Sequence, residues 1–131
     1  MNTEHLYLLY LSYPVICTDT RKITGPCLFF ALKGDHHNAN EYAAKALESG
    51  AAYAVIDDEQ YAINDRYILV EDVLVSLQQL AAHHRLQLRI PVIGITGTNG
   101  KTTTKELIRS VLSTHFKVHA TEGNLNNHIG V

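Results

Sequence analysis

The chain has 131 residues, 46% of them hydrophobic and 18% charged, and carries a formal net charge of -2. That length accommodates one full domain, or a small domain with part of a second, and the composition is that of a soluble globular protein. A slightly acidic balance gives no electrostatic footprint for nucleic acid or for an anionic membrane surface, so any basic site must be local.

The N-terminal stretch MNTEHLYLLYLSYPV is apolar for a few residues, but it has neither a basic leading region nor a small-residue cleavage site. No segment approaches the roughly 20 apolar residues of a membrane span. These features point to the cytoplasm. Cys17 and Cys27 lie in no C-x-x-C or metal-ligand spacing and are expected to be reduced structural thiols.

Thr3–Ser12 reads as a short, mostly buried helix, and residues 14–17 as a strand leading into the polar turn TDTRKITG. Residues 28–32 form a second apolar run, followed by the loop KGDHHNAN. Asn40 is placed to cap the next helix, in which Tyr42, Ala43, Ala46 and Leu47 make an apolar stripe and Gly50 supplies the stop. Strands are then expected at Tyr53–Ile56 and over residues 67–70. Asp72 starts a helix with Val73, Leu74, Leu77, Leu80, Ala81, His84 and Leu88 on one side, and Pro91 marks its end. This alternation is that of an α/β layer fold.

Beyond Pro91 the pattern begins again. Residues 90–95 read as a buried strand, and Leu107, Ile108, Val111, Leu112 and His115 recur at helical spacing from Lys105 onward. Between them lies GITGTNGKTTTKEL. A glycine turn feeding a helix presents free N–H groups and the positive end of the helix dipole, a ready site for a phosphate chain. Gly97 and Gly100 allow positive φ angles and close backbone approach, while Thr98, Asn99 and Thr103 add loop and first-turn donors. Lys101 is placed to reach the β and γ oxygens, and the Thr102 hydroxyl to ligate Mg²⁺. The spacing departs from G-x-x-x-x-G-K-[ST], because Ile95 stands at the first glycine position and Gly94 falls one place early. FKVHAT, residues 116–121, then reads as a strand, and EGNLNNHIGV as a polar turn.

Other polar clusters have plainer readings. Neither His36 with His37 nor His83 with His84 has a third ligand at metal spacing, and solvated or half-buried histidines are expected. Asp57, Asp58 and Glu59 read as an exposed turn after a strand, and Asn124, Asn126 and Asn127 as turn formers. By composition, residues 18–22 are equally well a polar turn or a ligand contact.

Taken together, GTNGKTTTKE, EGNLNNHIGV and DTRKITGPCLFFALKG resemble the Mur ligase family over nearly the whole chain. The phosphate loop, odd spacing included, is similar to that of all Mur ligases and of folylpolyglutamate synthases. GNLNNHIG resembles the branch that adds D-alanyl-D-alanine to UDP-N-acetylmuramoyl-tripeptide. The resemblance implies ATP-driven amide formation: the tripeptide carboxylate is phosphorylated, and the acyl phosphate is attacked by the amine of D-alanyl-D-alanine. It implies ATP and Mg²⁺ as cofactors and a monomer. It also implies two α/β units, a uridine-nucleotide-binding domain over residues 1–89 and the start of a P-loop ATPase domain over residues 90–131. Thr20 and Arg21 would contact the uridine diphosphate, and Lys33, Gly34 and Asn40 would line the same site. Thr121, Asn124, Asn126 and Asn127 would line the substrate or a domain junction.

One loop, one helix and two strands are too few to bury a core, so the chain reads as the opening portion of a longer enzyme, inactive alone. Two alternatives stand beside this reading. One is the family branch that adds the third amino acid, which EGNLNNHIG disfavours; the other is a nucleotide-binding module without catalysis.

Overall fold

The computed structural model describes residues 2–34 and 37–121. The chain divides into two compact units, Met1–Leu88 and Arg89–Val131.

In the first unit, α1 (Thr3–Ser12) is capped by the Asn2 side chain, which accepts from the His5 N–H at 3.0 Å. There follow β1 (Ile16–Cys17), a 3-10 turn Thr20–Lys22, β2 (Leu28–Phe30), β3 (Lys33–Gly34), β4 (His37–Asn38) and a second 3-10 turn Ala39–Tyr42. Then come α2 (Ala43–Glu48), β5 (Tyr53–Ile56), a 3-10 turn Glu59–Tyr61, β6 (Tyr67–Leu69) and α3 (Val73–Gln87). The main sheet has the order β1-β2-β5-β6 and is parallel throughout, with Ile16 opposite Leu28, Phe29 opposite Ala54 and Val55 opposite Ile68. β3 and β4 form a separate antiparallel pair.

A parallel sheet is covered on both faces, which is why β2 and β5 are apolar at every position. Successive side chains take opposite sides. Phe29, Ala31, Ala54 and Ile56 pack with Ala43, Ala46 and Leu47 of α2. Leu28, Phe30, Val55 and Ile68 pack with Leu6 of α1 and with Val73 and Leu80 of α3. Beneath the first layer Cys27 is fully buried beside Cys17; burial pushes its thiol up to about 12, so it stays protonated and serves as a core atom.

The helices differ in detail from the sequence reading. Only Leu6 of α1 is buried, and Leu8 and Leu11 face solvent, because a helix apolar all round has one side to offer the sheet and α3. In α3, Ala81 and Leu88 of the expected stripe are exposed, while the Asp72 carboxylate caps the helix by accepting from the Val75 N–H at 2.8 Å. Asn40 does not cap α2. The Asn38 side chain caps the preceding 3-10 turn instead, accepting from the Asn40 N–H.

The second unit contains α4 (Lys101–Leu112), one turn longer at its start than the apolar spacing suggests. The Thr104 N–H bonds to the Gly100 carbonyl at 2.9 Å, so Lys101, Thr102 and Thr103 make up the first turn. Neither 90–95 nor 116–121 is a strand. Ile90, Val92 and Ile93 are exposed rather than buried as a central strand would be. No helix among the described residues is long and apolar enough to cross a membrane.

The sandwiched sheet sets the stability of the first unit. Phe30→Ala, which empties a fully buried position in β2, is expected to cost about 3–5 kcal/mol. Leu86→Ala, at a residue 82% exposed, is expected to stay within about 0.5 kcal/mol of the parent chain. Urea unfolding followed by circular dichroism checks both; similar midpoints for the two variants would contradict the layered core.

Candidate functional site

Because β1, β2 and β5 run parallel, the segments that leave their C-terminal ends emerge on one edge of the sheet, where ligands of open α/β folds bind. A cavity of about 470 Å³ lies there, a size suited to a small-molecule ligand. Thr18, Asp19, Thr20 and Arg21, which follow β1, form one side. His37, Ala39, Tyr42 and Lys45, which follow β2, form the other, with Phe29 between.

Asp19 organises the first side. It caps the 3-10 turn through the Arg21 N–H at 3.0 Å and holds the Arg21 guanidinium through Nε at 2.9 Å and Nη2 at 2.8 Å. The hydrogen bond from the Arg21 side chain, then that from its backbone N–H, lowers the Asp19 carboxyl to about 2. Arg21 remains 85% exposed, with its Nη1 not engaged by Asp19. On the second side the His37 ring stacks on Tyr42 with centroids 5.3 Å apart. Two cations, Arg21 and Lys45, face one carboxylate, a balance suited to an anionic ligand with an aromatic portion.

Of the residues singled out in the sequence, Thr20 and Arg21 line this cavity and Lys33, Gly34 and Asn40 do not. Lys33 ion-pairs with Asp57 at 2.8 Å. Asn40 is 1% exposed and spends both amide protons internally, Nδ2 donating to Asn38 Oδ1 and to Asp57 Oδ1 at 2.8 Å each. Asp57 corrects the reading of DDE as an exposed turn, which suits Glu59 alone. Its side chain is 9% exposed and bonds to three elements, through Lys33, Asn40 and Val73, whereas Asp58 caps the 3-10 turn by accepting from the Gln60 N–H. Sequence reading also missed His37, Tyr42 and Lys45. Their one signal was position, in the segment that follows an apolar strand.

In the second unit the glycine turn has the backbone expected of it. Gly97 has φ 145° and Gly100 φ 76°, both in territory that side chains resist, and Gly100 is the residue from which α4 departs. Lys101 folds back over the turn, its Nζ donating to the Gly97 carbonyl at 2.5 Å and to the Thr98 carbonyl at 3.4 Å. Thr98, Asn99, Thr102 and Thr103 are all exposed around it. The Lys105 ammonium donates to the Thr121 carbonyl at 2.6 Å, which ties the segment after α4 to the helix. Asn124, Asn126 and Asn127 lie outside the described residues. Among the described residues no cluster of three or more His, Cys, Asp or Glu is arranged to hold a metal. A Mg²⁺ ion here would depend on the Thr102 hydroxyl together with phosphate and water oxygens, a donor set that this hard cation accepts.

Residues 95–131 match the Mur ligase middle domain. The chain is 46% identical over 119 residues to the UDP-N-acetylmuramoyl-tripeptide--D-alanyl-D-alanine ligase of Bacillus subtilis, an alignment covering 88% of this chain and 26% of that protein. With the ligase of the same name from Escherichia coli K12 it is 38% identical over 121 residues, 92% of this chain and 26% of that one. It is also similar to a crystal structure of MurF ligase from Thermotoga maritima in complex with ADP, at a TM-score of 0.78 and 29% identity over 88% of this chain and 27% of the other. A MurF structure from Acinetobacter baumannii superposes at a TM-score of 0.79 with 36% identity, covering 90% and 26%. The chain thus spans about a quarter of the length of the curated relatives it matches.

The Asp19–Arg21 pair yields a pH prediction. A carboxyl held low in the folded chain contributes stability above its unfolded value, near 3.9, and loses it as the pH falls toward about 2. A ¹³C titration should place the Asp19 midpoint near 2, and Arg21→Ala should return it toward the ordinary carboxylate range. An Asp19 midpoint unmoved by that substitution would contradict the pairing.

Proposed function

We propose that this chain is the N-terminal part of a Mur ligase, an ATP-dependent enzyme that joins D-alanyl-D-alanine to UDP-N-acetylmuramoyl-tripeptide. Residues 1–89 act as the uridine-nucleotide-binding domain, and residues 90–131 open the ATP-binding domain. The observation that carries this reading is the turn from Gly97 to Lys101, whose two positive-φ glycines lead into α4. A turn of this shape aims backbone N–H groups at an anion, and the Thermotoga maritima relative is described in complex with ADP.

In this reading the N–H groups of Thr98 through Thr103 cradle the phosphate chain. Lys101 gives up its bonds to the Gly97 and Thr98 carbonyls and moves onto the β and γ oxygens. The Thr102 hydroxyl would hold Mg²⁺, which would supply positive charge against the repulsion between the phosphate chain and the substrate carboxylate. Transfer of the γ-phosphoryl leaves ADP and an acyl phosphate on the tripeptide; the amine of D-alanyl-D-alanine attacks its carbonyl, forming the amide bond and releasing inorganic phosphate and a proton. In the first unit Thr20, Arg21 and Lys45 take the uridine diphosphate, and Tyr42 offers an aromatic surface beside it. Thr121, Asn124, Asn126 and Asn127 keep in this reading the role that the resemblance implies, at the substrate or at a domain junction.

Replacing Lys101 tests the phosphate cradle. In the full-length enzyme, Lys101→Ala should lower kcat by at least about a hundredfold, the loss typical of one preorganised charge-stabilising donor. It should leave the fold intact, since Lys101 packs on no core. Thr104→Ala, at an exposed residue one helical turn in, should be nearly silent. Steady-state kinetics with circular dichroism makes the comparison, and a folded Lys101→Ala enzyme with near-parental kcat would overturn the assignment.

A further inference from the structure

The hairpin of β3 and β4 has only two residues in each strand, and its Lys33, Gly34 and His37 are exposed. A ribbon that short does not hold its place by its own pairing, and it brings no apolar side chain to the core. Yet it carries His37, which with Tyr42 makes an aromatic wall of the cavity. Something else must fix it.

That anchor is Asp57, the residue after β5. Its Oδ1 accepts from Lys33 Nζ at 2.8 Å, at the start of the hairpin, and from Asn40 Nδ2 at 2.8 Å, just beyond its end. Its own N–H donates to Asn40 Oδ1 at 3.2 Å, and its Oδ2 accepts from the Val73 N–H at 3.3 Å, in the first turn of α3. Asn38 closes the network, its Oδ1 taking both the backbone N–H and the side-chain N–H of Asn40. Burial alone would raise the Asp57 carboxyl, but the bonds from Lys33, Asn40 and Val73 outweigh it and hold the group below its ordinary value, so it is charged at neutral pH. A charge kept at a largely buried position is a poor way to gain stability alone, since apolar packing there serves as well or better. It is an effective way to fix one geometry.

We propose that Asp57 is a positioning residue for the nucleotide cavity: its carboxylate ties both ends of the 33–40 segment to the sheet and so sets His37 and Tyr42 as one wall of the site. The inference rests on the uridine-nucleotide reading of that cavity for what the wall receives, but not for the placement of the wall itself. Asp57 touches no ligand in this account. It acts through Lys33 and Asn40.

The test uses the 131-residue chain, with Asp57→Asn and Lys33→Met each made alone and together. Two readouts are taken: the affinity for UDP by calorimetry, and the His37 imidazole proton resonances without ligand, which sense the ring current of Tyr42. Each single variant should weaken UDP binding at least about tenfold and move the His37 resonances toward those of a free histidine, with thermal unfolding still cooperative. The double variant should bind no more weakly than the weaker single one, because both substitutions remove the same Lys33–Asp57 ion pair. If Asp57→Asn fails to fold, Lys33→Met decides, since it leaves the carboxylate its bonds to Asn40 and Val73. If the parent chain does not bind UDP, the uridine-nucleotide reading falls and the His37 resonances alone decide: a shift in the variants sustains the positioning role, and unchanged resonances overturn it. A lowered melting temperature with His37 and the UDP affinity both unchanged would make Asp57 a stabilising residue only.

Discussion

A parallel sheet covered on both faces is the constraint on which the rest of the first unit depends. Parallel strands need crossover connections, and helices packed on both faces leave only the strand ends open. In this chain the loop after β1 brings Asp19 and Arg21, the segment after β2 brings His37, Tyr42 and Lys45, and the residue after β5 is Asp57. The same geometry that buries Phe29 and Phe30 on opposite sides therefore delivers every polar group of the site to one edge. Core and site are two results of one strand arrangement.

Charge is used locally. The net charge of -2 hides two small cationic positions, one at Arg21 and Lys45 in the cavity lining and one at Lys101 on the glycine turn. Arg21 is held by Asp19 and Lys101 by the carbonyls of its own turn. Arg21 is largely exposed, where an ion pair adds little to stability. Lys33 differs, because its partner Asp57 is almost enclosed and the bond joins separate elements of the fold.

What could be read from the sequence was what local pattern encodes. LFF and YAVI are apolar without alternation and became the two central strands; the glycines of GTNGK took the positive φ that such a turn requires. Asp72 capped α3 because a carboxylate before an apolar helix has N–H groups within reach. The misses were contacts between distant residues. Asn40 and Asp57 are 17 positions apart, and nothing in NANEY or IDDEQ announces that the two side chains meet. Residues 90–95 have the composition of a buried strand, but composition supplies no neighbour, and a ladder requires one. Threonines after Lys101 are weak helix formers, which hid the first turn of α4; a left-handed glycine at the cap was enough to begin it there.

The central claim is that the chain carries two separate nucleotide-recognition elements, a cavity at the strand ends of the first unit and a phosphate cradle at the start of α4. The most direct measurement is a pair of ¹⁵N chemical-shift maps of the 131-residue chain, one with UDP and one with ADP and Mg²⁺. The account predicts that UDP moves the amides of residues 18–21 and 37–45 and leaves 97–103 in place, while ADP does the reverse. Both nucleotides moving the same set, or UDP moving only residues outside the cavity, would contradict it.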